Sequence, residues 1–223
     1  MRFQDAARDG RAVVYAGIQA EPVVARAAAL LADASPAQRV LARAAMTGMT
    51  VDPGTWMTMF PGLFGAAVSA DERAASEAIL AVALEVADRG DQVRDQLRGA
   101  IVESLTETLL ARRAGAGTVH RERRVLFDGV RAEIHPYDVT VERDGAAEAW
   151  DCKWGARGIS ADVLHQLDDA RTHARDEGGS LRVGLVIFDA ERSCQVRLER
   201  QTAPTSATDV VALETLHRLA SAG

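Results

Sequence analysis

Residues 133–154, EIHPYDVTVERDGAAEAWDCKW, predict two β-strands joined by a tight turn. β-Branched and aromatic residues, which favour strands, lie on both sides of Asp144-Gly145. Asp-Gly is a preferred sequence of the two-residue type I′ hairpin turn, in which Arg143 would face Ala146. We therefore expect an antiparallel hairpin over this stretch, whereas a three-residue loop would shift its pairing.

The predicted register brings two acidic side chains together. With a two-residue turn, Asp138 lies directly opposite Asp151, with Cβ atoms about 4.5–5.5 Å apart. Because like charges in this position are destabilising, the pair needs a compensating charge. Mg²⁺ supplies one, since it prefers carboxylate oxygens together with retained waters. Strand alternation places Lys153 on the same face as Asp151, and Cys152 on the opposite face.

Two carboxylates and one amine around a single point suit metal-assisted hydrolysis of a phosphodiester. A bound cation polarises the phosphoryl oxygen and lowers the pKa of a bound water. The 26 basic residues comprise 25 arginines and one lysine, Lys153. Its compact ammonium differs from a planar, permanently protonated guanidinium, which gives a physical reason for a lysine here. Asp-x-Lys also occurs on solvated strand faces, so the pattern alone leaves both interpretations open.

The rest of the chain predicts helices first, and strands mixed with helices afterwards. Helices are predicted at 22–33, 36–46, 71–88 and 91–113, and the last of them stops at Gly115. Strands follow at 118–127, 133–142 and 146–154, then a helix at 160–177 and a buried strand at 182–189. Near the end of the chain, 194–200 suggests a further strand and 207–220 a closing helix.

This order of helix, three strands, helix and strand resembles the core of the PD-(D/E)XK, or restriction-endonuclease-like, nuclease superfamily. Its motif has an Asp on the second core strand and (D/E)-x-K on the third, matched here by Asp138 and Asp151-Cys152-Lys153. This chain has Pro136-Tyr137-Asp138 where the family has adjacent Pro-Asp. The resemblance covers roughly 91–190 and implies an α/β fold with an αβββαβ core, a mixed central sheet with flanking helices. We therefore expect a nuclease domain at 91–223, preceded by an all-helical N-terminal region at 1–90.

The resemblance also implies further site residues. Many members carry a metal-associated Glu on the first core helix, which points to Glu103, with Glu107 one turn later as the alternative and a solvated acidic face as the other explanation. Some members use a Gln on the helix after the lysine, which Gln166 matches. The two aspartates and Glu103 would bind Mg²⁺, with Mn²⁺ as a possible substitute, and Lys153 would position the attacking water.

The implied activity is that of a DNA endonuclease in microbial restriction, phage defence or DNA processing. A homodimer is expected if both strands of a duplex are cut, because each subunit carries one site. The alternative is a non-catalytic binding or regulatory module that keeps the fold and acts with a partner protein. The helical N-terminal region is the candidate surface for such a partner.

Phosphate contact would depend on local arginines, because a net charge of −6 excludes a generic basic nucleic-acid-binding protein. The candidates are Arg121, Arg123 and Arg124 on the first predicted strand of the core, and Arg157 just after the motif. Their other interpretation is a solvated strand edge.

The composition is typical of a soluble globular protein, with 48% hydrophobic and 26% charged residues in 223. No apolar run approaches the ~18 residues of a membrane span, and no apolar signal stretch begins the sequence. The cysteines, Cys152 and Cys194, cannot form a disulfide framework and predict a reduced, cytoplasmic protein. Segment 51–65 interrupts the helices with Trp56 and Phe64, which predict either packing between helices or a partner surface.

Overall fold

The computed structural model describes residues 1–6, 10–115, 118–128, 130–131, 136–143, 146–201 and 208–221. The chain divides into two units, Asp9–Leu105 on one side and Met1–Arg8 with Thr106–Gly223 on the other. The division falls inside a single helix, Asp91–Ala114. It therefore differs from the predicted limits of 1–90 and 91–223, which followed the turn at Gly90. A turn residue marks the end of a helix, but it does not reveal which contacts the next helix makes.

The unit formed by Asp9–Leu105 is helical. Helices α1 to α6 span Gly10–Gln19, Pro22–Asp33, Pro36–Thr47, Pro53–Met59, Pro61–Phe64 and Ala70–Ala87, and α7 is Asp91–Ala114. Proline begins α2 to α5, where its missing N–H has no helical partner. Helix α6 packs against α2, α3, α4 and α5 and so forms the centre of the unit. The predicted helices at 22–33, 36–46 and 71–88 are confirmed.

The aromatic segment at 51–65 folds into α4 and α5, and its two largest buried side chains are Trp56 and Phe64. Trp56 donates from Nε1 to the Thr50 carbonyl at 3.0 Å. Its ring lies so close to Gly48 that a Cβ there would stand 2.6 Å from the ring. These two aromatic residues therefore pack inside the unit, while Met59 of the same segment is exposed. No helix in the described ranges is long and apolar enough to cross a membrane.

The other unit contains a mixed β-sheet. Its strands β1 to β7 are Arg2–Asp5, Val119–Phe127, Val130–Arg131, Tyr137–Val141, Ala146–Lys153, Ser180–Ile187 and Asp209–Ala212. Their spatial order is β1-β2-β4-β5-β6-β7, with β3 paired to β2. Neighbours are antiparallel as far as β5, and β5, β6 and β7 are parallel. The prediction of an α/β protein with a mixed sheet is confirmed.

Helix α8, Ala161–Asp176, connects β5 to β6 and packs on one face of the sheet. Ser160 caps its first turn by accepting from the Val163 N–H. Leu164 and Leu167 of α8 share a buried cluster with Ala147 and Ala149 of β5. These leucines and alanines therefore pack on the same face of the sheet.

Three predictions near the ends of the chain were wrong. The N-terminal region is not all helical, because Arg2–Asp5 forms a strand that pairs with β2. The segment 194–200 lies mostly in helix α9, Glu191–Glu199, and 207–220 contains strand β7 and a 3₁₀ segment, Leu213–Leu219, in place of a helix. Strands β1 and β7 are four residues long. Segments this short carry little periodicity, and pairing with a neighbouring strand decides their structure.

The predicted hairpin register is confirmed. The paired residues of β4 and β5 are Val139 with Trp150, Thr140 with Ala149, and Val141 with Glu148. The Ala146 N–H donates to the Arg143 carbonyl at 3.4 Å, as a two-residue turn requires. The turn residues Asp144 and Gly145 themselves lie outside the described residues.

A buried ion pair ties β5 to the end of α7. Arg113 donates to both carboxylate oxygens of Glu148, at 2.6 and 2.9 Å, and from Nε to the Leu219 carbonyl at 3.0 Å. Only 10% of the Arg113 side chain and 13% of the Glu148 side chain are exposed. Burial by itself would raise the pKa of Glu148, but the hydrogen bonds and charge of Arg113 outweigh it and lower that pKa.

We expect Glu148→Gln to lower the free energy of unfolding by about 3 kcal/mol, because it leaves the buried Arg113 charge without its partner. Urea denaturation followed by tryptophan fluorescence measures the change. Asp176→Asn is the matched control, since Asp176 is exposed and its contact with Arg175, at 3.7 Å, is exposed as well. Its effect should stay within about 0.5 kcal/mol, and equal effects of the two variants would contradict the assignment.

The same pair predicts a dependence on pH. Because the pKa of Glu148 is lowered on folding from its ordinary 4.5, its contribution is complete above that value. The contribution is lost as the pH falls through the lower folded pKa. The difference in stability between wild type and Glu148→Gln should therefore shrink in acid. A difference that grew in acid would contradict a lowered pKa of Glu148 in the folded protein.

Candidate functional site

Asp138 lies on β4 at the point where the described pairs of the β4–β5 ladder end. The last pair is Val139 with Trp150. Beyond it, the Asp138 carboxylate accepts a hydrogen bond from the Cys152 N–H at 2.6 Å. A side chain thus continues the connection between the two strands, and a charge-assisted bond of this kind fixes the position of the carboxylate.

Asp151 and Lys153 lie on β5, two residues apart. Lys153 donates from Nζ to Oδ1 of Asp151 at 2.7 Å. The Asp151 side chain is 15% exposed and that of Lys153 31%. Between them, Cys152 is buried and its Sγ donates to Oγ1 of Thr106 at 3.4 Å. The aspartate and the lysine therefore share one face of the strand and the cysteine lies on the other, as predicted.

The charges around Lys153 stabilise its ammonium form. Burial by itself would lower its pKa, but the negative charge of Asp151, then that of Asp138, and the hydrogen bond to Asp151 raise the pKa above its ordinary value. The geometry agrees, because Asp151 accepts from the Lys153 ammonium and Asp138 accepts from the backbone of the residue between them. The structure brings together the three residues that the hairpin register predicted.

A short turn follows the motif and reaches back to Lys153. Ala156–Gly158 forms a single 3₁₀ turn, and the Gly158 backbone lies against the aliphatic part of the lysine. Asp189, two residues after the end of β6, accepts from the Ala156 N–H at 3.0 Å. Gly158 and Asp189 are not among the site residues that the sequence predicted. A signal for Asp189 existed, because the carboxyl ends of parallel strands meet at the same edge of a sheet.

Glu103, the predicted third ligand, is buried in the helical unit. Its carboxylate accepts from the Tyr15 hydroxyl at 2.6 Å and from Nε2 of Gln19 at 2.8 Å, both on α1. Glu107 belongs to the sheet unit and forms an ion pair with Arg121. Gln166 lies half-buried on α8. The roles of Glu103, Glu107 and Gln166 in a site stay predictions.

The arginines proposed for phosphate contact differ in their surroundings. Arg121 pairs with Glu107, and Arg123 pairs with Glu142 and Asp5. Arg124 is half-buried on β2, whereas Arg157 is exposed on the turn after the motif. Arg121 and Arg123 would have to leave a carboxylate to reach a phosphate. Arg157 is therefore the better placed candidate.

The donor chemistry at Asp138 and Asp151 fits a divalent cation. Within the described part of the chain, no group of three or more His, Cys, Asp or Glu side chains is placed to hold a metal. Mg²⁺, however, is commonly bound by one or two carboxylates together with waters and substrate phosphates. Each carboxylate offers about four lone-pair positions, more than the hydrogen bonds to the Cys152 N–H and to Lys153 occupy.

We compared the chain with protein-family models, with curated proteins and with solved structures, and none of them matches it.

We expect Tyr15→Phe to loosen α1, because it removes a hydrogen bond to the buried carboxylate of Glu103. Bonds to charged groups contribute about 2 kcal/mol, so amide exchange in peptides covering α1 should accelerate up to about 30-fold. Hydrogen–deuterium exchange with mass spectrometry measures the effect. Val13→Ala, at an exposed position on the same helix, is the control. Equal exchange in both variants would contradict a stabilising role for this contact.

Proposed function

We propose that this protein is a metal-dependent phosphodiester hydrolase that cuts DNA, with Asp138, Asp151 and Lys153 at its active site. One observation carries the proposal. The chain's single lysine contacts the Asp151 carboxylate at 2.7 Å, and the Asp138 carboxylate accepts from the N–H of Cys152, the residue between them, at 2.6 Å. Two carboxylates with one amine are the groups that metal-assisted hydrolysis of a phosphodiester uses.

Asp138 and Asp151 would hold Mg²⁺, or Mn²⁺ in its place. The bound ion would polarise a phosphoryl oxygen and lower the pKa of a water. Asp138 is oriented for this task by the Cys152 N–H. Lys153 has three N–H donors, of which Asp151 accepts one, so its ammonium can also donate to a water or to a phosphate oxygen. There it would orient the attacking water and stabilise the charge that develops on the phosphate.

DNA is the proposed substrate, and restriction, phage defence or DNA processing the proposed context, on the resemblance to the PD-(D/E)XK superfamily. Since the net charge is −6, contact with the backbone would depend on single arginines such as the exposed Arg157. Cutting both strands of a duplex would require two sites, hence a homodimer. A second copy or a partner protein would bind to the helical unit.

Purified protein should cut plasmid, linear duplex or single-stranded DNA with Mg²⁺ or Mn²⁺, and should not cut with a chelator. We expect Asp151→Asn and Lys153→Ala to lower the cleavage rate by at least about 100-fold, because each removes a group that acts on the reacting phosphate or water. Lys153→Arg keeps the charge but replaces the compact ammonium, and we expect it to lose most of the activity as well. Gel assays of initial rates measure these effects.

Asp176→Asn, at an exposed position on α8, is the control and should cut like the wild type. Cleavage by Lys153→Ala at the wild-type rate would overturn the proposed site. Wild-type protein that binds DNA without cutting it under any of these conditions would instead support the non-catalytic module.

Metal binding can be measured separately from cleavage. We expect Mn²⁺ to bind the wild type, and the affinity to fall by about tenfold or more in Asp138→Asn, because binding of hard cations depends on the number of carboxylates. Titration followed by the electron paramagnetic resonance of free Mn²⁺ measures this. Asp176→Asn again serves as the control, and equal affinities of the two variants would contradict the assignment.

A further inference from the structure

The aliphatic part of Lys153 lies against the backbone of Gly158. A Cβ added at Gly158 would stand 2.7 Å from Cγ of Lys153 and 2.9 Å from its Cβ and Cδ. Real Cβ atoms do not approach other atoms this closely, so any larger residue at 158 would displace the lysine or the turn. The atoms concerned belong to the inner part of the side chain, which cannot move aside as its flexible end could. Glycine is therefore required here for close approach of the backbone.

The turn that carries Gly158 is fixed at both ends. Within it, the Gly158 N–H donates to the Gly155 carbonyl at 2.9 Å. At its start, the Ala156 N–H donates to Oδ2 of Asp189 at 3.0 Å. After it, Arg197 of α9 donates from Nε to the Ile159 carbonyl at 2.9 Å. Asp189, two residues after β6, and Arg197 of α9 thus hold the turn beside the lysine.

Asp189 also holds the element that follows it. Its second carboxylate oxygen, Oδ1, accepts from the Ala190 N–H at 2.8 Å, directly before α9. One carboxylate therefore connects the turn after β5 with the start of α9. Nearby, the Phe188 N–H donates to the Lys153 carbonyl at 2.9 Å, so the lysine backbone is tied to the same stretch of chain.

We propose that Gly158 and Asp189 are positioning residues that hold the Lys153 side chain in one direction, towards Asp151. A lysine side chain has many rotamers. The Gly158 backbone lies so close to Cβ, Cγ and Cδ of Lys153 that few of these rotamers are accessible. The ammonium therefore contacts Asp151 without first sampling other side-chain conformations. The consequence for catalysis rests on the proposed function, whereas the positioning of the lysine does not.

The chain's single lysine makes a direct test possible. Protein labelled with ¹³C,¹⁵N-lysine gives the NMR signals of one lysine side chain only. In Gly158→Ala we expect the Lys153 Cγ, Cδ and Cε signals to shift towards those of a mobile lysine. The kcat for DNA cleavage should fall by about 10- to 100-fold with little change in KM, because a small displacement of a reacting group has this effect.

Two further variants complete the test. Asp189→Asn keeps the size of the side chain but cannot accept both backbone N–H groups through oxygen, so it should shift the same lysine signals in the same direction by less. It also keeps the proposal testable if Gly158→Ala does not fold. Gly90→Ala is the control, because a Cβ there would meet nothing within 4 Å, and its lysine signals and kcat should match the wild type.

Lysine signals in folded Gly158→Ala and Asp189→Asn that match the wild type would overturn the positioning role. Shifted signals with unchanged kcat would overturn its catalytic consequence. If the wild type cuts no DNA, the proposed function fails, and the NMR comparison still decides whether Gly158 and Asp189 position the lysine.

Discussion

The pairing of β4 with β5 is the constraint on which the candidate site depends. Because side chains alternate along a strand, a shift of one residue would carry Asp151 and Lys153 to the opposite face. The observed pairs, from Val141–Glu148 to Val139–Trp150, exclude that shift. Where these pairs end, the Asp138 carboxylate accepts from the Cys152 N–H. The acidic residue thus extends the connection between the two strands and lies in the candidate site.

Contacts on the opposite face of β5 stabilise this register. Glu148 binds Arg113 through two hydrogen bonds, and Trp150 donates from Nε1 to Glu148 at 3.1 Å. The Trp150 ring lies against Gly184 of β6, where a Cβ would stand 2.4 Å from it, and the Arg182 guanidinium lies 5.1 Å from its centre. The buried ion pair and the closely packed indole hold β5 in place from one face. Asp151 and Lys153, on the other face, are therefore carried by a rigid strand.

The buried carboxylate of the helical unit, that of Glu103, has different surroundings. Glu103 accepts hydrogen bonds from Tyr15 and Gln19 of α1, and a carboxylate this deeply buried needs such partners. Asp138 and Asp151, in contrast, are half-buried, and Asp151 accepts from the Lys153 ammonium. The same functional group, a carboxylate, therefore takes part in internal hydrogen bonding in one unit and in a partly open polar site in the other.

By itself, the sequence determined the elements that repeat a strong local pattern: the long helices, the Asp-Gly hairpin with its register, and the face shared by Asp151 and Lys153. Periodicity, helix caps and turn residues act over a few neighbouring positions, so they can be recognised in one chain. Only the tertiary structure decided the strands Arg2–Asp5 and Asp209–Ala212, the helix Glu191–Glu199, and the contacts of Gly158 and Asp189 around the lysine. These features depend on strand pairing and close approach between residues distant in the chain, which no local pattern records.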